Sequence, residues 1–91
     1  MAGFSVSRSY TMSKEDVRAA AEELAHDIEV QYGLRCRWRG DTATMRGSGV
    51  DGTLVIDDDV VSVKVSLGFL AAAFEQPLRR AINDYLDQYV S

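Results

Sequence analysis

The sequence predicts an α+β domain in the order β-α-β-β-β-β-α, a curved antiparallel sheet with two helices packed on one face. Three observations lead there. Phe4, Val6 and Tyr10 share one face of a stretch whose other face is serine, and a period of two returns over residues 34–67, the pattern of strands with one buried face. Apolar residues recur at helical spacing over 14–32 and again from 70 to 89. Short polar turns join the period-two stretches, and strands joined that way run antiparallel. One apolar sheet face and two helices with one apolar stripe each are satisfied when both helices cover that face. The chain has 91 residues, enough for one domain (residues 1–91) with a modest core. An apolar share of 46% with a single proline argues against disorder.

Each element has local support. In the first strand Phe4, Val6 and Tyr10 share one face and the serines take the other. Ser13 suits an N-cap, with Asp16 three residues later as a carboxylate variant of the capping box. Glu15 and Asp16 also suit the positive end of the helix dipole. Val17, Ala20, Ala21, Leu24, Ile28 and Tyr32 form the apolar stripe of this helix, and Gly33 is placed to end it. Leu34, Cys36 and Trp38 then alternate with Arg35, Arg37 and Arg39, up to a tight turn at Gly40-Asp41. Ala43 and Met45 continue the inner face. Residues 47–52 read as a glycine-rich bend or bulge, with the next strand over 53–56. Leu54 and Ile56 point inward, residues 57–59 form a turn, and Val61, Val63, Val65 and Leu67 line the inner face of the last strand. Gly68 ends the sheet. Beyond it Leu70, Phe74, Leu78, Ala81, Ile82, Tyr85, Leu86 and Tyr89 fall on one side of a helix. Pro77 is expected near its first position, after a short helical turn.

Composition narrows the function classes. A net charge of −4 argues against a protein that coats nucleic acid through overall charge. The one cysteine, Cys36, leaves no intrachain disulfide, which fits a reducing compartment. The first ten residues lack a signal-peptide pattern, and the longest weakly polar run, 67–74, is far short of a membrane span. The expectation is a cytoplasmic protein.

No motif points to catalysis, a metal or a cofactor. Gly47, Gly49 and Gly52 match G-x-G-x-x-G, but a strand follows where a dinucleotide site needs a helix, so the glycines read as backbone freedom. Asp57, Asp58 and Asp59 are adjacent, without the spaced oxygen ligands and closing glutamate of a calcium loop, and read as a solvated turn. His26 and Cys36 are each the only residue of their kind, too few for a zinc site without several carboxylates. His26 faces aside from the helix stripe, and Cys36 sits on the predicted inner face, where a small buried thiol is ordinary. An enzyme is therefore not expected.

Two surfaces stand out. Arg35, Arg37 and Arg39 project from one face of a strand, and Arg46 and Lys64 are predicted on the same face. This is either a solvated face whose charges deter edge association or an anion-binding face. Trp38 lies on the opposite register, so the aromatics that single-stranded nucleic acid requires are not interleaved with the arginines. The second surface is the apolar run from Leu67 to Phe74. Core packing is favoured for it, yet Phe69, Leu70 and Phe74 cannot all face inward on a short turn.

Tyr32-Gly33-Leu34, Trp38, Gly40-Asp41, Gly49-Val50-Asp51-Gly52, Leu67-Gly68 with Leu70, then Phe74, Ile82 and Leu86-Asp87 follow one another in an order that resembles the polyhydroxyalkanoic acid system proteins. These are small proteins of bacteria that make storage polyester granules. The resemblance spans about Phe4 to Tyr89 and rests on glycines and apolar residues, so it speaks to fold more than to chemistry. It implies a link to granule formation or regulation and brings no catalytic residues. The leading expectation is a non-enzymatic binding or interaction protein whose partners are a granule surface, a granule-associated protein or a second copy of the chain. One alternative is a carrier that holds an apolar, acyl-type ligand between the sheet and the C-terminal helix, lined by Trp38, Phe69, Leu70 and Phe74. The other is an anion-binding module that uses Arg35, Arg37, Arg39, Arg46 and Lys64.

Overall fold

The computed structural model describes residues 2–91. The elements are β1 (Ala2–Ser9), α1 (Lys14–Tyr32), β2 (Arg35–Arg39), β3 (Thr42–Gly47), β4 (Val50–Ile56), β5 (Val60–Leu67), a 3-10 segment (Phe69–Phe74) and α2 (Glu75–Tyr89). The strands form one five-stranded sheet in the order β1-β5-β4-β3-β2, every neighbouring pair antiparallel. The order β-α-β-β-β-β-α and the α+β class are as the patterning predicts. α1 links the two edge strands and so must carry the chain across the whole sheet. Its 19 residues reach roughly 28 Å, more than the roughly 19 Å between the outer strands of a five-stranded sheet.

Local signals set the ends of α1. The Ser13 side-chain oxygen accepts from the Asp16 N–H at 3.1 Å, and Gly33 closes the helix at φ 69°. The buried residues are Val17, Ala21, Leu24, Ala25 and Ile28. Ala25 thus joins the predicted stripe, and Ala20 and Tyr32 sit at its margin.

The register fixes two unlike faces. On the inner face Val6, Val63, Leu54, Ala43 and Trp38 form one row across all five strands. α1 lies over β2, β3 and β4, while α2 lies over β1 and touches α1. Leu78, Ile82 and Leu86 of α2 are no more than 1% exposed and join the sheet and α1 in one apolar core. No polar or charged residue is buried among the described residues.

Three elements differ from the expectation. The glycine-rich stretch is a two-residue hairpin turn rather than a six-residue bend. Ser48 (φ 53°) and Gly49 (φ 79°) are both left-handed, as a type I′ turn requires, and Gly47 pairs with Val50. β4 therefore starts at Val50, with Gly52 inside it facing Met45, whose terminal carbon would lie 3.4 Å from any added Cβ. Pro77 is the third residue of α2, still in the first turn, where no N–H is needed. The run after Gly68 is a 3-10 helix. Its three-residue turn puts Ala71 and Phe74 on one side and turns Phe69 and Leu70 outward. Ala71 is buried, whereas Leu70 leaves the predicted core stripe and is 91% exposed. Ala81 is likewise exposed.

Both sheet edges are blunted by side chains. Glu29 of α1 accepts from the Cys36 N–H on β2 at 2.9 Å. Glu75 of α2 accepts from the Gly3 N–H on β1 at 3.2 Å, and the Arg8 guanidinium donates to the Ser7 carbonyl at 3.0 Å. Edge groups paired in this way are withheld from another chain's strand.

Candidate functional site

Among the described residues no helix lies on the outer sheet face. Across it run three registered rows: Ser5, Lys64, Thr53, Thr44 and Arg37; Ser7, Ser62, Val55, Thr42 and Arg39; Gly3, Ser66, Asp51, Arg46 and Arg35. Small hydroxyl residues fill the middle and the arginines gather on β2 and β3. Arg35, Arg37, Arg39, Arg46 and Lys64 are all exposed. The structure thus places the five predicted cations on one face. The acid that joins them is Asp51, 3.3 Å from Arg46. Among the described residues Arg35, Arg37, Arg39 and Lys64 have no ion-pair partner. Arg35 and Arg46 stand directly opposite one another, a like-charge placement that costs stability.

The second surface is at one end of the molecule. Phe69 is 92% exposed, Leu70 91% and Phe74 44%. The Gly68 N–H donates to the Gly49 carbonyl at 2.8 Å, which ties the start of the 3-10 segment to the β3–β4 turn. A Cβ on Gly49 would meet the Ala71 side chain at 3.5 Å. The Phe74 ring meets the Tyr32 ring edge-on, with centroids 5.8 Å apart. Tyr32 closes α1, and the exposed Val30 precedes it by two residues. Tyr32 and Val30 were not singled out as surface residues by the sequence. The available signal is that Val30 lies off the helix stripe.

Trp38 is placed elsewhere. It stands in β2 with the Arg18 guanidinium 4.1 Å from its ring centroid. Arg18 also donates to the Gly40 carbonyl at 2.7 Å and to Asp41 at 3.2 Å. One face of the indole is therefore occupied by a fixed cation. The clefts that Trp38 lines are shared with Arg37, Arg39, Thr42 and Thr44 on one side and with Ala25, His26, Glu29 and Cys36 on the other. Neither contains Phe69, Leu70 or Phe74, so the structure does not gather the four residues of the carrier alternative around one pocket.

Polar contacts concentrate at the opposite end. Lys14 reaches Asp41 at 3.0 Å and Asp58 at 3.4 Å. The Lys14 ammonium beside it holds the Asp41 carboxyl below the usual range, with Arg18 adding to the effect. The Tyr10 hydroxyl donates to the Asp57 carbonyl, and its burial raises the phenol above its ordinary value. Arg8, on the inward register of β1, pairs with Asp87 at 2.9 Å and donates to Asn83 at 2.8 Å on α2. The signal for Arg8 was its position between Val6 and Tyr10. Burial, and then the Glu29 charge, push the Cys36 thiol up, which lowers the reactive thiolate fraction. Among the described residues no group of three or more His, Cys, Asp or Glu is placed to hold a metal ion. No helix among them is long and apolar enough to cross a membrane.

These features define a small α+β protein with an open polar sheet face and an exposed apolar corner. The family model described as "Putative polyhydroxyalkanoic acid system protein" matches residues 4–90, and the chain belongs to that family. No curated protein and no solved structure matches it.

Proposed function

We propose that this protein is a non-enzymatic interaction protein of the polyhydroxyalkanoate system, and that the Phe69 corner is its contact with a granule surface or a granule-associated protein. One observation carries the reading. Phe69 and Leu70 are 92% and 91% exposed in a chain that packs the apolar residues on either side of them, Leu67 and Ala71, at 1%. Large side chains grouped this way on a small protein mark an interaction site. Family membership supplies the setting, and the corner supplies a surface that can adsorb to an apolar polyester or to an apolar patch on a coat protein. No chemistry is required of the protein in this role.

The test is co-sedimentation of the purified chain with isolated polyhydroxyalkanoate granules, stripped and unstripped of their coat proteins. The wild type is expected to pellet with at least one preparation, and Phe69→Ser/Leu70→Ser to remain in solution while melting like the wild type. A wild type that pellets with neither removes the proposal. Pelleting with stripped granules identifies the polymer as the contact, and pelleting with unstripped granules alone identifies a coat protein.

A further inference from the structure

We propose that the open sheet face is the seat for helix α1 of a second copy of this chain, so that copies stack face to helix in a salt-labile array. The inference concerns other surfaces than the Phe69 corner and stands apart from the proposed function.

The charges of the chain are sorted between its two layers. The outer sheet face holds Arg35, Arg37, Arg39, Arg46 and Lys64 against one acid, Asp51, which faces Arg46 at 3.3 Å. Two of its three rows, those of Arg37 and Arg39, contain no acid. The acids nearest to β2 are held from the helix side. Glu29 is bound to the Cys36 N–H, and Asp41 to Lys14 and Arg18 of α1. Asp57, Asp58 and Asp59 lie in the β4–β5 turn, two or more strand spacings, at least about 10 Å, from β2.

The helix α1 is the reverse. Glu15, Asp16, Glu22, Glu23 and Asp27 are exposed on it. Its two cations, Lys14 and Arg18, are committed to Asp41, Asp58 and Glu22. The net charge of −4 therefore combines one cationic and one anionic face on opposite sides. The molecule is 19 Å across its thinnest axis, over twice the roughly 8 Å screening length at physiological salt. An approaching surface thus responds to the face it meets rather than to the net charge.

Neither set is satisfied within the chain. Among the described residues Arg35, Arg37, Arg39 and Lys64 on the sheet make no ion pair, and nor do Glu15, Asp16, Glu23 and Asp27 on α1. Their spacings match. Arg37 and Arg39 stand about 7 Å apart along β2, and Glu23 and Asp27 one helical turn apart, about 6 Å. A helix laid along β2 sets carboxylates against guanidiniums, the stronger kind of hydrogen bond, and gives the sheet the second layer that a sheet face accepts. The helix α2 fits less well, because Arg79 and Arg80 offset Glu75, Asp84 and Asp87. Single-stranded nucleic acid fits less well too, because the three rows hold no aromatic residue. The face is about 20 Å on a side, or roughly 400 Å² from each copy, the size of a weak, reversible contact. Such a contact is heterologous and leaves one face free at each end, so the stack stays open.

The experiment is sedimentation velocity of the full chain over a concentration series, at about 0.1 M and about 1 M salt, where the screening lengths are about 10 Å and 3 Å. The wild type is expected to grow with concentration at the lower salt and to be monomeric at the higher. Arg37→Gln/Arg39→Gln should weaken association roughly ten-fold. Arg37→Glu/Arg39→Glu and Glu23→Lys/Asp27→Lys should each be monomeric alone and associate when mixed, because each supplies the charge that the other has reversed. The lysine variant is formally neutral, so attraction between net charges does not produce this rescue. Phe69→Ser/Leu70→Ser should associate as the wild type does. Thermal melts matching the wild type establish that each variant is folded. A wild type that is monomeric at the lower salt overturns the inference, whatever other partner its sheet face then binds. A mixture that stays monomeric overturns it too, as does lost association in Phe69→Ser/Leu70→Ser, which would assign the contact to the corner. A monomeric chain that pellets with granules leaves the proposed function standing, and an associating chain that does not pellet removes that function and supports the stack.

Discussion

Asp41 shows how a turn residue becomes a structural contact. It faces Lys14 at 3.0 Å and Arg18 at 3.2 Å, and the Lys14 hydrogen bond is the largest cause of its lowered pKa. A carboxyl whose folded pKa lies below the ordinary 3.8 contributes its stability in full above the unfolded value. That contribution disappears as pH falls through the lower folded value. Asp41→Asn is therefore expected to be less stable than the wild type near neutrality and to lose less of its urea midpoint below about pH 4. Identical acid limbs would show the contact to be energetically silent. Glu29 is the other telling residue. Glu29→Gln keeps an acceptor for the Cys36 N–H and removes a charge. The alkylation midpoint of Cys36 should fall yet stay above the ordinary 9.0, since burial is the larger cause of its shift. At this scale the sequence was legible where the signal is local, as in the Ser13 and Gly33 caps. Glu29, Glu75 and Arg18 were not, because their partners are chosen by the packing of α1 and α2 on the sheet.

The β3–β4 hairpin and the 3-10 segment show where element patterns run out. Glycines at 47, 49 and 52 fit a bend, a bulge or a tight turn equally well, and the structure assigns each a separate task. Gly47 has φ 148°, and a Cβ there would sit 3.0 Å from the Gly33 carbonyl oxygen and 3.2 Å from Leu34 Cα. Gly47→Ala should cost about 1–3 kcal/mol by chemical denaturation. Gly40 is left-handed in open space, so Gly40→Ala should cost no more than about 1–2 kcal/mol. The reverse ranking would contradict the close approach of the α1 end to this turn. In α2 the apolar stripe was legible at Leu78, Ile82 and Leu86, and Ile82→Ala should cost about 2–5 kcal/mol. Leu70 was misplaced because α-helical spacing was extended into a segment that winds with three residues per turn.

The molecule as a whole has one apolar core, one open polar sheet face and two unlike ends. The two faces were legible in the period-two pattern, because register follows from which residues can be buried. The strand order was not, since β1 could join either edge, and its pairing with β5 comes from the long crossing of α1. Nor was the polarity of the ends, which depends on which turns fall together. The central claim is that the Phe69 corner acts in contact and carries little of the fold's stability. Paired isotherms of wild type and Phe69→Ser/Leu70→Ser on polyhydroxyalkanoate granules, each with a thermal melt, test it most directly. The account predicts saturable wild-type binding, a variant without measurable binding, and melts that coincide. A variant that binds as the wild type does would contradict it.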